Sequence, residues 1–155
     1  MTGHNETVYC HDINKLSPFS WIQNKSIFTN PFRVASDSCH NVYVIDKQDN
    51  SCDRVVVLGQ AGEVRGIYCG SGKASDFKTV DLVATELDNI IVLDIYSVLH
   101  VLNSEGKCIK YQKLSDLGVR EVARSLDINN NGMLLIGCEG RNNDAKIHVV
   151  KFSGI

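Results

Sequence analysis

Two stretches of this chain have the residue types and spacing that can hold a ligand. Asp127-Ile128-Asn129-Asn130-Asn131-Gly132 reproduces the first six positions of a calcium-binding EF-hand loop, where oxygens at alternate positions face the cation and glycine permits the sharp turn. The twelfth position, which must supply a bidentate Glu, is Cys138, and Glu139 comes one residue late. A hairpin turn built on Asn-Gly accounts for the same letters, and that is the reading taken. Cys69-Gly70-Ser71-Gly72-Lys73-Ala74 has the glycines and lysine of a phosphate loop, but Ile67 stands where the leading Gly belongs and Ala74 where Ser or Thr belongs. It reads as a connecting loop.

The remaining candidates are histidines and cysteines. Six cysteines, at 10, 39, 52, 69, 108 and 138, are never closer than thirteen residues, so zinc-finger spacing is excluded and free thiols are expected. His100 and His148 fall at equivalent positions of a repeat described below, where Val56 is the third member, and a structural role on a strand is expected for both. Neither a Gly-x-Ser-x-Gly elbow nor a His-Glu-x-x-His helix occurs. The expectation is therefore no catalytic residue, no metal and no cofactor.

Composition sets wider bounds. The 155 residues, 43% apolar and 22% charged, suit one soluble globular unit. A net charge of −2 argues against a coat for nucleic acid and leaves room for a local basic face. The first residues lack the positive start and apolar run of a signal peptide, and no apolar run reaches membrane-spanning length, so a cytoplasmic location and no membrane partner are expected. The sequons at Asn5 and Asn24 then read as chance.

What must position any site is a repeat. Asn89-Ile-Ile-Val-Leu-Asp94 restates Asn41-Val-Tyr-Val-Ile-Asp46 forty-eight residues on, and Gly132-Met-Leu-Leu-Ile-Gly137 is a weaker third copy. Apolar residues run without alternation in each, which predicts strands buried on both faces. Around each lie further short apolar runs bounded by turn residues, and Gly62 and Gly106, forty-four apart, set the register of the second half of the unit. Units of this length with four short strands are the sequence form of β-propeller blades. The predicted organisation is an N-terminal arm over residues 1–30, which can add strands to a blade, blade 1 over 31–72, blade 2 over 73–113 and an incomplete blade 3 over 114–155. Leu114–Val122 is the one tract suited to a turn of helix, between blades.

The pattern Pro-Phe-Arg-Val-Ala (31–35), Asn-Val-Tyr-Val-Ile-Asp (41–46), Asn-Ile-Ile-Val-Leu-Asp (89–94) and Leu-His-Val-Leu-Asn-Ser-Glu-Gly (99–106) resembles NHL repeats. It is similar to the C-terminal propeller of invertebrate tripartite-motif (TRIM) proteins, over roughly residues 27–153. The resemblance implies an all-β fold, a partial NHL-type β-propeller of about three four-stranded antiparallel blades out of six. It also implies a module that selects protein or RNA partners for a ubiquitin ligase. The RING, B-box and coiled coil of such a ligase have no counterpart in this sequence.

An arc of three blades leaves two apolar faces bare, so a fragment or a homodimer completing a ring is expected. Function should lie on the rim formed by the loops after each second strand and those between blades. Candidate partner-binding residues there are Lys47, Lys73, Lys113, Arg120, Arg141 and Asn142, within a rim that also holds Asp49, Asn50, Asp53, Lys78 and Asn143. The alternatives are a calcium-dependent lactonase- or esterase-like propeller, with Asp46 and Asp94 as ligands, and a truncated chain without function of its own.

Overall fold

The computed structural model describes residues 27–49, 52–70, 76–140 and 144–152. Among the described residues, eleven strands form three antiparallel sheets, in which each strand pairs with its chain neighbour. Blade 1 holds β1 (Pro31–Ser36), β2 (Val42–Asp46), β3 (Arg54–Leu58) and β4 (Val64–Tyr68). Blade 2 holds β5 (Thr79–Ala84), β6 (Ile90–Asp94), β7 (Val98–Leu102) and β8 (Cys108–Lys113). A 3-10 turn over Leu114–Leu117, where one turn of helix was expected, leads into blade 3, with β9 (Val122–Ile128), β10 (Leu134–Glu139) and β11 (Lys146–Val150). The fold is all-β, as the apolar runs predict, and the sheets stack as consecutive blades of a partial propeller. Among the described residues there is no α-helix.

The second strand of blade 2 is buried throughout because blades 1 and 3 cover its two faces. By contrast β10 of blade 3, expected to be covered on both faces, alternates buried residues with half-buried or exposed ones, because no blade follows it among the described residues. Ile90 and Val92 of β6 pack with Tyr43, Ile45, Val55 and Val57 of blade 1. Their neighbours Ile91 and Leu93 point the other way, onto Leu126, Leu134 and Ile136 of blade 3. Each such side chain, fully removed from water, stabilises the stack by roughly 1.5–3 kcal/mol before entropy is counted. At the ends of the arc the covering differs. Val44 and Val56 in the middle of the outward row of blade 1 are buried, whereas Val34 and Ile67 at its ends are exposed, as are Ile147 and Val149 of blade 3.

The repeat extends to backbone irregularities. Each first strand carries one extra residue against its partner, at Phe32, Val80 and Arg124, and β4 and β8 carry one each at Arg65 and Ile109. The turns between first and second strands close alike, with Asp37, Thr85 and Asn129 each accepting the amide of the residue four further on. His40, Asp88 and Gly132 hold the left-handed position in those turns. The EF-hand-like stretch is therefore the third copy of a structural turn, with Asn129 Oδ1 already accepting the amides of Asn131 and Met133.

First strands lie innermost, with β5 against both β1 and β9. One carboxylate joins the three: Asp81 accepts the Leu126 amide at 2.9 Å and lies 3.4 Å from Arg33. Ile27–Asn30, the described end of the arm, is tied to blade 1, since Asp46 accepts the Thr29 and Asn30 amides and Arg54 donates to the Ile27 carbonyl.

Candidate functional site

At the seam between blades 1 and 2, on the rim singled out by the repeat, a buried polar chain leads to the surface. β6 ends at Asp94, whose Oδ1 accepts the amides of Tyr96 and Val98 at 2.9 Å each, so the tight turn Ile95-Tyr96-Ser97 is fixed by its own first residue. The turn is also anchored to the start of blade 2 by the Ile95 amide on the Lys78 carbonyl. Asp94 Oδ2 lies 3.1 Å from His100 Nε2, His100 Nδ1 lies 2.8 Å from the Tyr68 hydroxyl, and that hydroxyl lies 3.1 Å from the Tyr111 hydroxyl. Asp94, His100 and Tyr68 are buried, while Tyr111 is 47% exposed. The chain thus crosses from β6 and β7 to β4 of the other blade and emerges on β8.

Aromatic rings seal it. Phe77 meets Tyr68 edge-on at 5.2 Å and His100 at 5.1 Å, and His100 meets Tyr111 edge-on at 5.1 Å. Above them opens a cleft of about 530 Å³, walled by Phe77, Tyr96 and Tyr111, with Asp76, Lys113 and Asp116 among its charged residues. Tyr96 is 63% exposed.

An Asp–His–hydroxyl sequence is the order in which a base activates a nucleophile. Here the hydroxyl is a phenol in the wrong setting. Burial pushes the Tyr68 pKa far above its ordinary value, so the phenolate is suppressed. Cys69, a thiol on the cleft, is likewise raised by burial and by Cys52, which keeps it protonated. The chain's effect is to hold the Tyr96 backbone and the Tyr111 hydroxyl from one carboxylate.

The sequence-derived candidates are spread over this rim unevenly. Lys113 is exposed and lines the cleft. Arg120 is exposed on the connection after it. Lys47 is turned inward: its ammonium lies 2.9 Å from the buried Asp53 carboxylate, donates to the Thr79 carbonyl and sits 5.1 Å from the Phe32 ring centroid. Lys73, Arg141 and Asn142 lie outside the described residues. Tyr68, Tyr96, Tyr111 and Asp116 escaped the sequence reading. A signal was present, since the forty-four-residue offset sets Tyr111 against Ile67 and His100 against Val56, polar groups where blade 1 is apolar.

Two other groupings are occupied by their own chain. Asp37, Cys39 and Asp88 place ligand atoms within 4.8 Å of one another across the same seam. Yet Asp88 accepts the Ser38 amide and hydroxyl, and Asp37 accepts Asn41 and Tyr43. Burial raises the Asp37 carboxyl, but those bonds outweigh it and hold it below its usual range. Asp46, the other strand-ending carboxylate, is taken by the Thr29 and Asn30 amides and by Arg54.

No family model matches the sequence, and no curated protein matches it. Among solved structures, the chain is similar to a protein of unknown function from Bacteroides caccae, at 13% identity and a TM-score of 0.48. The match covers 81% of this chain and 48% of that one, so the chain spans about half the length of that protein.

Proposed function

We propose that this arc of blades is a binding module that takes a protein partner at the rim between blades 1 and 2, and that it is not an enzyme. The observation that carries the reading is the pair of exposed tyrosines, Tyr96 on a turn pinned through its backbone by Asp94 and Tyr111 held by its hydroxyl, over a sealed Asp94–His100–Tyr68 chain. Tyrosines contribute large contact area for the few torsions they must fix, and they recur at interfaces. A hydrolase reading would need an activated nucleophile, and both Tyr68 and Cys69 are shifted away from their anionic forms. A calcium-dependent reading would need free carboxylate oxygens on Asp46 and Asp94, and these accept backbone amides instead.

On this reading the chain is an NHL-type propeller segment, and the ligase connection implied by the TRIM resemblance would be a matter of which partner it selects. RNA is the less favoured partner because, among the described residues of its lining, the cleft sets Asp94 and Asp116 against one lysine, Lys113. The test is selection in parallel from a random peptide library on phage and a random single-stranded RNA pool. Peptides enriched on the native protein and lost on Tyr96→Ala support the reading. Enrichment of RNA alone, or of peptides indifferent to Tyr96, overturns it.

A further inference from the structure

Resting on that reading, we infer that the cleft between blades 1 and 2 receives a lysine or arginine side chain of the partner, with the Tyr111 hydroxyl as an acceptor aimed at it.

The inference follows the direction of the hydrogen bonds. Asp94 is an acceptor to two backbone amides, so the proton in its contact with His100 sits on Nε2. In the neutral imidazole Nδ1 is then an acceptor, and the Tyr68 hydroxyl donates to it. The Tyr68 oxygen, having given its one hydrogen away, can only accept from Tyr111. Tyr111 thereby gives its own hydrogen inward and turns lone pairs toward the cleft. One buried carboxylate thus sets the polarity of a hydroxyl three groups away, and that hydroxyl selects for donors.

The rest of the cleft agrees. Phe77, Tyr96 and Tyr111 offer ring surface for an alkyl stem and for a cation over a ring. Among the described residues of the lining, the exposed Asp116 and the buried Asp94 outnumber the one ammonium, Lys113. A volume of about 530 Å³ holds a long side chain with its flanking backbone. A phosphate would meet the same carboxylates and an oxygen with no hydrogen to give.

The test is an NMR titration of the native protein with four pentapeptides, Gly-Gly-X-Gly-Gly, in which X is Arg, Lys, Gln or Glu. The expected result is saturable shifts at Tyr96, Tyr111 and Asp116 with Arg or Lys only, and about tenfold weaker binding by Tyr111→Phe, which keeps the ring and loses the acceptor. Equal binding of the Gln or Glu peptide, or an unchanged affinity in Tyr111→Phe, overturns the inference. Phage selection separates this failure from failure of the binding reading: selected peptides that need Tyr96 but contain no basic residue sink only the cation pocket. If the library yields no peptide at all, the module reading falls with it.

Discussion

The Asp53 carboxylate accepts both the backbone amide and the hydroxyl of Thr79, at 2.7 and 2.9 Å, and so ties the loop after β2 to the first residue of blade 2. Asp53 is 1% exposed, and Lys47 completes its shell. Replacing it with Asn should therefore cost about 1–3 kcal/mol at neutral pH, read as a lower denaturant midpoint with an unchanged slope.

Acid should remove the same contribution. Burial raises the Asp53 carboxyl, and the bonds from Thr79 and Lys47 outweigh it, so its pKa lies below the ordinary 3.8; Asp37 is held low in the same way. A depressed carboxyl contributes stability that is fully present above the unfolded value and is lost as pH falls through the folded one. The native protein should keep its thermal midpoint down to about pH 4 on account of these two groups and lose it below. The gap between native protein and Asp53→Asn should narrow over that lower window.

How much of this was legible in the sequence depends on the range of the interaction. Ile90–Asp94 announced a strand covered on both faces because its own five residues carry the message, and Gly62 and Gly106 announced turns because each must adopt a positive φ, here 80° and 76°. Lys47 read as a rim cation because its local sequence is polar, yet a carboxylate six residues on and a carbonyl from the next blade draw it in. The Tyr68–His100 contact joins residues thirty-two apart on different blades. Such a pairing is created by stacking, and no periodicity within one unit encodes it.

Stacking can be tested at its closest approach. Gly66 on β4 faces the turn between β7 and β8, where an added Cβ would collide with the Glu105 carbonyl, a backbone group that cannot swing aside. Gly66→Ala should destabilise by about 1–3 kcal/mol through displacement of blade 2 from blade 1. Gly118→Ala, where a Cβ meets nothing within 4 Å but φ is +82°, should cost only about 1 kcal/mol from backbone strain.

Covered and bare positions should respond differently. Leu93 lies fully buried between blades 2 and 3, and Leu93→Ala should cost about 2–5 kcal/mol. Ile147 on β11 is 75% exposed, so Ile147→Ala should fall within about 0.5 kcal/mol of the native value. A large loss at Ile147 that depends on protein concentration would instead mean that a second copy covers it, as a ring-closing dimer requires.

The polar chain at the seam yields the sharpest measurement, because blade 1 supplies its own control. His100 occupies the position held by Val56 in blade 1, so His100→Val puts there a side chain that the blade accepts, and it removes the two ring nitrogens together with the ring that packs on Phe77 and Tyr111. It leaves the buried Asp94 Oδ2 and the buried Tyr68 hydroxyl without their imidazole partner, and should cost about 2–4 kcal/mol. Tyr68→Phe alone strands His100 Nδ1 and should cost about 1–2 kcal/mol. In the double variant the hydroxyl is no longer there to be stranded, so the losses should fall short of their sum by about 1 kcal/mol. Simple additivity of the two losses would mean that the Tyr68 hydroxyl and the imidazole do not bond, and Tyr111 would then have no fixed polarity to present to a partner.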